Sequence, residues 1–183
     1  MILHQPNSES AQLTGKSVVL RLPQPEDFAE LIEMNKRSIQ FHRGLVAPPM
    51  DQADFDLYME RSRRDDCRLF LIWRKTNPAI VGSINLSQIF RGGFQNAYLG
   101  YYVGAPYAGR GYATEALQLI LRYAFKELKL HRIEANIQPG NVASVALVRR
   151  AGFVQEGFSR RYLKIAGRWR DHERWAITAE EWS

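Results

Sequence analysis

Two periods of hydrophobic and polar residues run along this chain, and the switches between them divide it into elements. "SVVLRL", Ser17 to Leu22, reads as a strand, and "PEDFAELIEMNKRS" follows with the early proline and acidic first turn of a helix start. "DQADFDLYMERSRR" predicts a second helix. "CRLFLIWRK" and "IVGSINLSQIF" are strand-like runs separated by Thr76 to Ala79, whose asparagine and proline are turn formers, so they predict an antiparallel hairpin. Beyond the loop Arg91-Gly92-Gly93 comes "AYLGYYVG", aromatic and β-branched enough for another strand. Gly100 inside it marks a bulge or a close backbone approach.

From Ala113 the period lengthens. Ala113, Ala116, Leu117, Ile120, Leu121, Ala124, Phe125 and Leu128 form the i, i+3, i+4, i+7 series of one helix face. "HRIEANIQ" then alternates like a strand, with Ile133, Ala135 and Ile137 on one face. "NVASVALVRRAGF" reads as a helix begun by Asn141 and stopped at Gly152. The tail, "FSRRYLKIAG" then "RWRDHERWAI", predicts a last hairpin. No repeat or linker breaks the series, so residues 1–183 are read as one α/β domain, a sheet layered with helices.

Composition narrows the function classes. With 45% hydrophobic and 24% charged residues the chain can bury an ordinary core. Its net charge of +6 favours anionic partners such as nucleic acid, phosphorylated cofactors or a ribosomal surface. Cys67 is the single cysteine and fits a reducing compartment. "MILHQPNSES" lacks the apolar core of a signal peptide, and no run approaches the roughly 18 apolar residues of a membrane span, so the expectation is a cytoplasmic protein without membrane contact. His42 and His131 have no partner at metal-ligand spacing, so no metal is expected. Trp73, Trp169, Trp175 and Trp182 are assigned to the core or its rim, with a peptide groove as the alternative for Trp169.

The chemistry concentrates at "AGRGYATEA", Ala108 to Ala116. A strand, a glycine loop and a helix N-terminus in succession make an anion site, because unpaired N–H groups and the helix dipole meet a backbone that glycine leaves uncovered. A tight turn between packed elements is the alternative. Two other phosphate signatures fail: Thr114 occupies the third glycine position of a dinucleotide fingerprint, and Ser10 occupies the first glycine position of a P-loop ending in "GKS".

"YYVGAPYAGRGYATEAL", with "IQPGNVASVALVRRAGF" downstream, resembles the GNAT superfamily of acetyl-CoA-dependent N-acetyltransferases over nearly the whole chain. "LSQIFRGGFQNAYLGYYVG" and "YLKIAGRWRDHERWAI" are most similar to its RimJ and RimL ribosomal-protein-alanine N-acetyltransferases, RimJ more closely. The resemblance implies a mixed, mostly antiparallel central sheet with helices on both faces, splayed where acetyl-CoA binds as cosubstrate. It places the pyrophosphate loop on Ala108, Gly109, Arg110, Gly111, Tyr112 and Ala113, with Ala108 departing from the usual Gln or Arg. Tyr101, Tyr102 and Val103 would pair with the pantetheine arm, and Asn141 and Ser144 would contact CoA near its thiol.

Acetyl transfer needs a neutral amine, a donor for the developing oxyanion and a proton for the thiolate. The backbone N–H of Val103 is the expected oxyanion donor and Ser144 the expected acid. Asn136 stands where some relatives place a glutamate, and Val148 where some carry a tyrosine. Glu134, on the same strand face as Asn136, is then the carboxylate candidate for a base acting through water, with Asp171 and His172 as alternatives and an ion-paired strand carboxylate as the plain reading. The acceptor implied is a protein N-terminus beginning with Ala or Ser, reached with ribosome contact; a small amine such as an antibiotic or polyamine is the alternative. The segment Ser38 to Asp51 is the candidate substrate loop. A nucleic-acid-binding module is a rival from another class, carried by the basic and aromatic residues of "SRRYLKIAGRWR".

Overall fold

The run "LFLI" lies at the centre of the molecule. In the computed structural model, which describes residues 12–182, it belongs to β3 (Arg68–Arg74) and alternates between two cores. Phe70 and Ile72 enter one, Leu69 and Leu71 the other, and all four are buried. Apolar demand on both faces explains why this strand reads as a continuous hydrophobic run rather than an alternating one.

One eight-stranded sheet is built around it. Its strands are β1 (Gln12–Thr14), β2 (Val18–Arg21), β3, β4 (Ala79–Phe90), β5 (Asn96–Val103), β6 (Arg132–Ile137), β7 (Val154–Ile165) and β8 (Arg168–Thr178), in the order β1-β2-β3-β4-β5-β6-β8-β7. Every neighbouring pair is antiparallel except β5 with β6. The helices α1 (Phe28–Arg37) and α3 (Gln52–Ser62) cover one face, packing Leu31, Met34, Phe55 and Tyr58 onto Leu69 and Leu71. On the other face α4 (Tyr112–Arg122) contributes Ala116, Leu117, Ile120 and Leu121, and α5 (Val142–Arg150) contributes Leu147 and Val148. Fully burying side chains of this kind stabilises the fold by about 1.5–3 kcal/mol each.

The parallel pair creates the functional feature. β5 and β6 are in register only at Asn96 with Arg132, Ala97 with Ile133 and Tyr98 with Glu134. β5 continues to Val103 and β6 to Ile137, so beyond Tyr98 the two strands part. β8 holds β6 along its whole length, from Arg132 with Thr178 to Ile137 with Glu173, while β4 holds β5. Each diverging strand is therefore braced by its outer neighbour.

Several details depart from the sequence reading. The strand β1 and the short helix α2 (Ile39–His42) were not anticipated, and the last turns of the α4 pattern, Tyr123–Glu127, form a π-helix. Trp73, Trp175 and Trp182 do join the packed interior or its edge. Trp169 is corrected: it stands 60% exposed on β8 near the hairpin tip, where the sheet is two strands wide and has no core to offer it. The stretch Met1 to Ser10, read above for a leader, lies outside the described residues. Among those described, no helix is long and apolar enough to cross a membrane.

Candidate active site

After β5 the chain makes a 3₁₀ turn, Ala105–Tyr107, and enters α4 through the glycine loop. Gly109 has φ +72° and Gly111, the N-cap of α4, has φ +83°. Left-handed backbone at these positions favours glycine. A Cβ built on either one meets nothing within 4 Å, so it would project into open space above the loop.

No side chain caps α4. Glu115, the acid of its first turn, instead accepts hydrogen bonds from the backbone N–H groups of Ser17 at 2.8 Å and Val18 at 3.4 Å. The first N–H groups of the helix are thus left facing the loop, with the positive end of the dipole behind them and the exposed Arg110 beside them. Donors, field and uncovered backbone suit a diphosphate.

This loop forms part of the wall of a cavity of about 680 Å³. Tyr101, Tyr102, Val103, residues 108–113, Asn141 and Ser144 all line it. Its β5 wall, Tyr101 to Val103, lies in the part of that strand that has left β6. Gly104 N–H donates to the Val81 carbonyl at 2.8 Å, so by the alternation of an antiparallel ladder Gly100, Tyr102 and Gly104 aim their backbone groups at β4. Tyr101 and Val103 aim theirs into the opening between β5 and β6.

Across it, Asn141 caps α5 by accepting the Ser144 N–H at 3.2 Å. The Tyr101 hydroxyl donates to the Ser144 carbonyl at 3.4 Å and ties β5 to α5. Burial pushes the Tyr101 phenol up to about 12.

The segment from Ser38 to Asp51 closes the other side. Phe41, His42, Leu45 and Val46 line the first cavity. Val46, Ala47, Pro48 and Pro49 line a second cavity of about 460 Å³ on the α1/α3 face, which also reaches Tyr101 and Tyr102. Two amides tether the segment: Gln138 Nε2 donates to the Gly44 carbonyl at 2.7 Å, and Asn35 Nδ2 to the Pro49 carbonyl at 2.8 Å.

His42 also lines the first cavity, a placement that no metal-ligand spacing or other local pattern in the sequence marks. It is buried, and its Nε2–H donates to the Val103 carbonyl at 2.9 Å. Since a carbonyl can only accept, that bond places the proton on Nε2 and leaves Nδ1 as a buried acceptor without a donor. Burial lowers its pKa, partly opposed by the Val103 bond, so the ring is neutral at pH 7. Val103 is consequently held by its carbonyl while its N–H stays directed into the opening. His42→Phe is expected to lower kcat about tenfold with little change in CoA affinity, and His42→Gln, whose amide can replace the donor, to recover most of it. Steady-state kinetics checks both; equal losses in the two variants would point to a packing role alone.

The carboxylate candidates are placed otherwise. Glu134 lines neither cavity and accepts from Arg132 Nε at 2.9 Å, while Arg132 also pairs with Glu156. Asp171 accepts the backbone N–H of Arg161 at 2.7 Å across the last hairpin. His172 is buried, its Nδ1–H donating to the Arg170 carbonyl at 3.0 Å, and burial lowers its pKa. Val148 is fully buried in the larger core.

Comparison with known proteins agrees with this geometry. A family model described as an acetyltransferase (GNAT) domain matches residues 17–154. The chain is 42% identical to the probable N-acetyltransferase YjcK of Bacillus subtilis over 120 residues, a match spanning 66% of each chain. It is 31% identical to the [ribosomal protein uS5]-alanine N-acetyltransferase of Escherichia coli over 191 residues, covering 100% of this chain and 98% of that one. The structure of Mycobacterium smegmatis RimJ in complex with CoA-disulfide superposes with a TM-score of 0.82 at 29% identity, covering 94% of this chain and 88% of that one. A parted parallel strand pair, an uncapped helix behind two left-handed glycines and a family model spanning both lead to one assignment: this chain belongs to the GNAT family of acetyltransferases.

Proposed function

We propose that this chain transfers the acetyl group of acetyl-CoA to the free α-amine of a protein N-terminus beginning with Ala or Ser, with both substrates bound together. The observation that carries this reading is the meeting of two cavities at Tyr101 and Tyr102. The first has the diphosphate cradle. The second has Asp54 and Arg61 as its charged residues, and the Asp54 carboxylate is engaged by the Met50 N–H at 2.9 Å. A polycation would gain little there.

An α-amine suits such a site. With a pKa of roughly 7.7 to 8.0, on the order of a tenth of it is neutral at pH 7, against under a thousandth of a lysine amine near 10.4. The full-length similarity to an enzyme named for an alanine of ribosomal protein uS5 supports a protein acceptor. Contact with the ribosome fits the basic last hairpin and its exposed Trp169.

Each group then has a role. The α4 N-terminus, Gly109, Gly111 and Arg110 would hold the diphosphate, and the opening-facing backbone of Tyr101 and Val103 would pair with the pantetheine arm. The N–H of Val103, with that of Tyr101 beneath it, would stabilise negative charge developing on the thioester oxygen. As the C–N bond forms and the C–S bond breaks, Ser144 would supply a proton to the departing sulfur. The proton lost by the amine would leave through water, and Glu134 is reached only by such a relay, beyond its pairing with Arg132.

Thiol release from acetyl-CoA, measured with a panel of acceptors, tests the reading. Peptides beginning with Ala or Ser are expected to be consumed, and an N-terminally blocked peptide carrying lysine is not. A preference for spermidine would move the chain to the small-amine acetyltransferases.

A further inference from the structure

On the sheet face that carries α1 and α3, one cross-strand row runs through Asn85 on β4, Gly100 on β5, Asn136 on β6 and Arg174 on β8. Asn85 is in register with Gly100, and Asn136 with Arg174. Gly100 and Asn136 each lie two residues beyond Tyr98 and Glu134, the last pair before β5 and β6 part. They therefore stand at the same height on opposite sides of the opening.

Gly100 leaves room that the Asn85 amide fills. A Cβ at position 100 would stand 2.6 Å from Asn85 Oδ1 and 3.1 Å from its Nδ2. Asn85 and Gly100 line the second cavity, while Asn136 lines neither cavity and stands across the opening from Gly100. The Oδ1 atoms of both Asn85 and Asn136 are buried, and neither meets a hydrogen-bond donor. Buried polar atoms of native proteins are nearly always paired, so two orphaned acceptors in one row, flanking a bare glycine, point to a ligand that brings N–H groups.

We propose that Asn85 and Asn136 form an amine-reading pair: their Oδ1 atoms receive the N–H groups of the acceptor nitrogen over Gly100. The proposal rests on the transferase reading above and deepens it by naming the residues that select its acceptor. A carboxylate at this place would favour the ammonium form and raise the pKa of the amine. An amide oxygen accepts the same hydrogen bonds without a charge, so the pair selects primary amines of low pKa, which keep an appreciable neutral fraction near pH 7. Glu134, the nearest carboxylate along β6, is held by Arg132 at 2.9 Å, and Arg132 is held in turn by Glu156.

The test compares kcat/KM for an Ala-initial peptide and for spermidine, together with CoA affinity by calorimetry, in the wild type and in Asn85→Ala, Asn136→Ala and Asn85→Asp. Asn85 and Asn136 do not line the first cavity, so CoA affinity within twofold of wild type shows that each variant is folded. The expected result is a tenfold or greater loss with the peptide in both alanine variants. In Asn85→Asp the spermidine-to-peptide ratio of kcat/KM is expected to rise at least tenfold. Alanine variants within twofold of wild type on the peptide, or an unchanged ratio in Asn85→Asp, would overturn the pair. No product from any amine with the wild type, CoA still binding, would overturn the transferase reading and the pair with it.

Discussion

Gly111→Val is expected to weaken CoA binding at least a hundredfold while the chain stays folded. The backbone at position 111 has φ +83°, where an L-residue costs about 1–2 kcal/mol and a β-branched one more. That penalty is local: position 111 is exposed, and a Cβ there meets no atom within 4 Å. The larger effect falls on the ligand. Gly111 lines the first cavity together with the uncapped first turn of α4, so a branched side chain there would take up space that phosphate oxygens need to reach those N–H groups. A hundredfold loss corresponds to about 2.7 kcal/mol, the scale of one or two charge-assisted hydrogen bonds. Calorimetry with CoA and urea unfolding together separate the two effects. Affinity within threefold of wild type would remove the loop from the cofactor site.

Ser144→Ala is expected to lower kcat by about a hundredfold, the lower end of general acid catalysis, while CoA affinity changes only a few-fold. The position survives the substitution because Asn141 caps the helix through the Ser144 backbone N–H, which alanine keeps. Loss of the hydroxyl therefore removes the proposed proton donor while the cap of α5 is kept. Tyr101 is the competitor on the same wall: its hydroxyl meets the Ser144 carbonyl at 3.4 Å, and burial holds its pKa up at about 12, so it keeps its proton at neutral pH. Full turnover in Ser144→Ala would pass the acid role to Tyr101; a hundredfold loss with CoA affinity retained keeps it on Ser144.

Much of this was legible before the fold. The series from Ala113 to Leu128 is buried along α4 and the turn that follows, apart from the half-buried Ala113. Asn141 does cap a helix, and the glycine pair does stand at the start of one. What could not be read depends on segments distant in sequence. His42 meets Val103 across 61 residues, and no local pattern marks that contact. The row of Asn85, Gly100 and Asn136 exists only once β4, β5 and β6 are in register. The plain reading of Glu134 as an ion-paired strand carboxylate did have a local signal: Arg132 lies two residues before it, and on a strand that spacing puts both on one face, where they pair. Trp169 failed for another reason, since aromatic character implies burial only where a core is within reach.

The rival reading as a nucleic-acid-binding module loses its ground, because the family to which the chain belongs is one of enzymes. Its basic and aromatic hairpin keeps a place as a surface for capturing a ribosomal substrate under the proposal above.

The most direct measurement uses one peptide that begins with a free alanine and carries an internal lysine, incubated with acetyl-CoA and this protein and mapped by fragmentation mass spectrometry. A single acetyl group on the alanine α-amine, with the lysine untouched, is the predicted result. Acetylation of the lysine in preference to the terminus would contradict a site that depends on the neutral fraction of its amine at physiological pH.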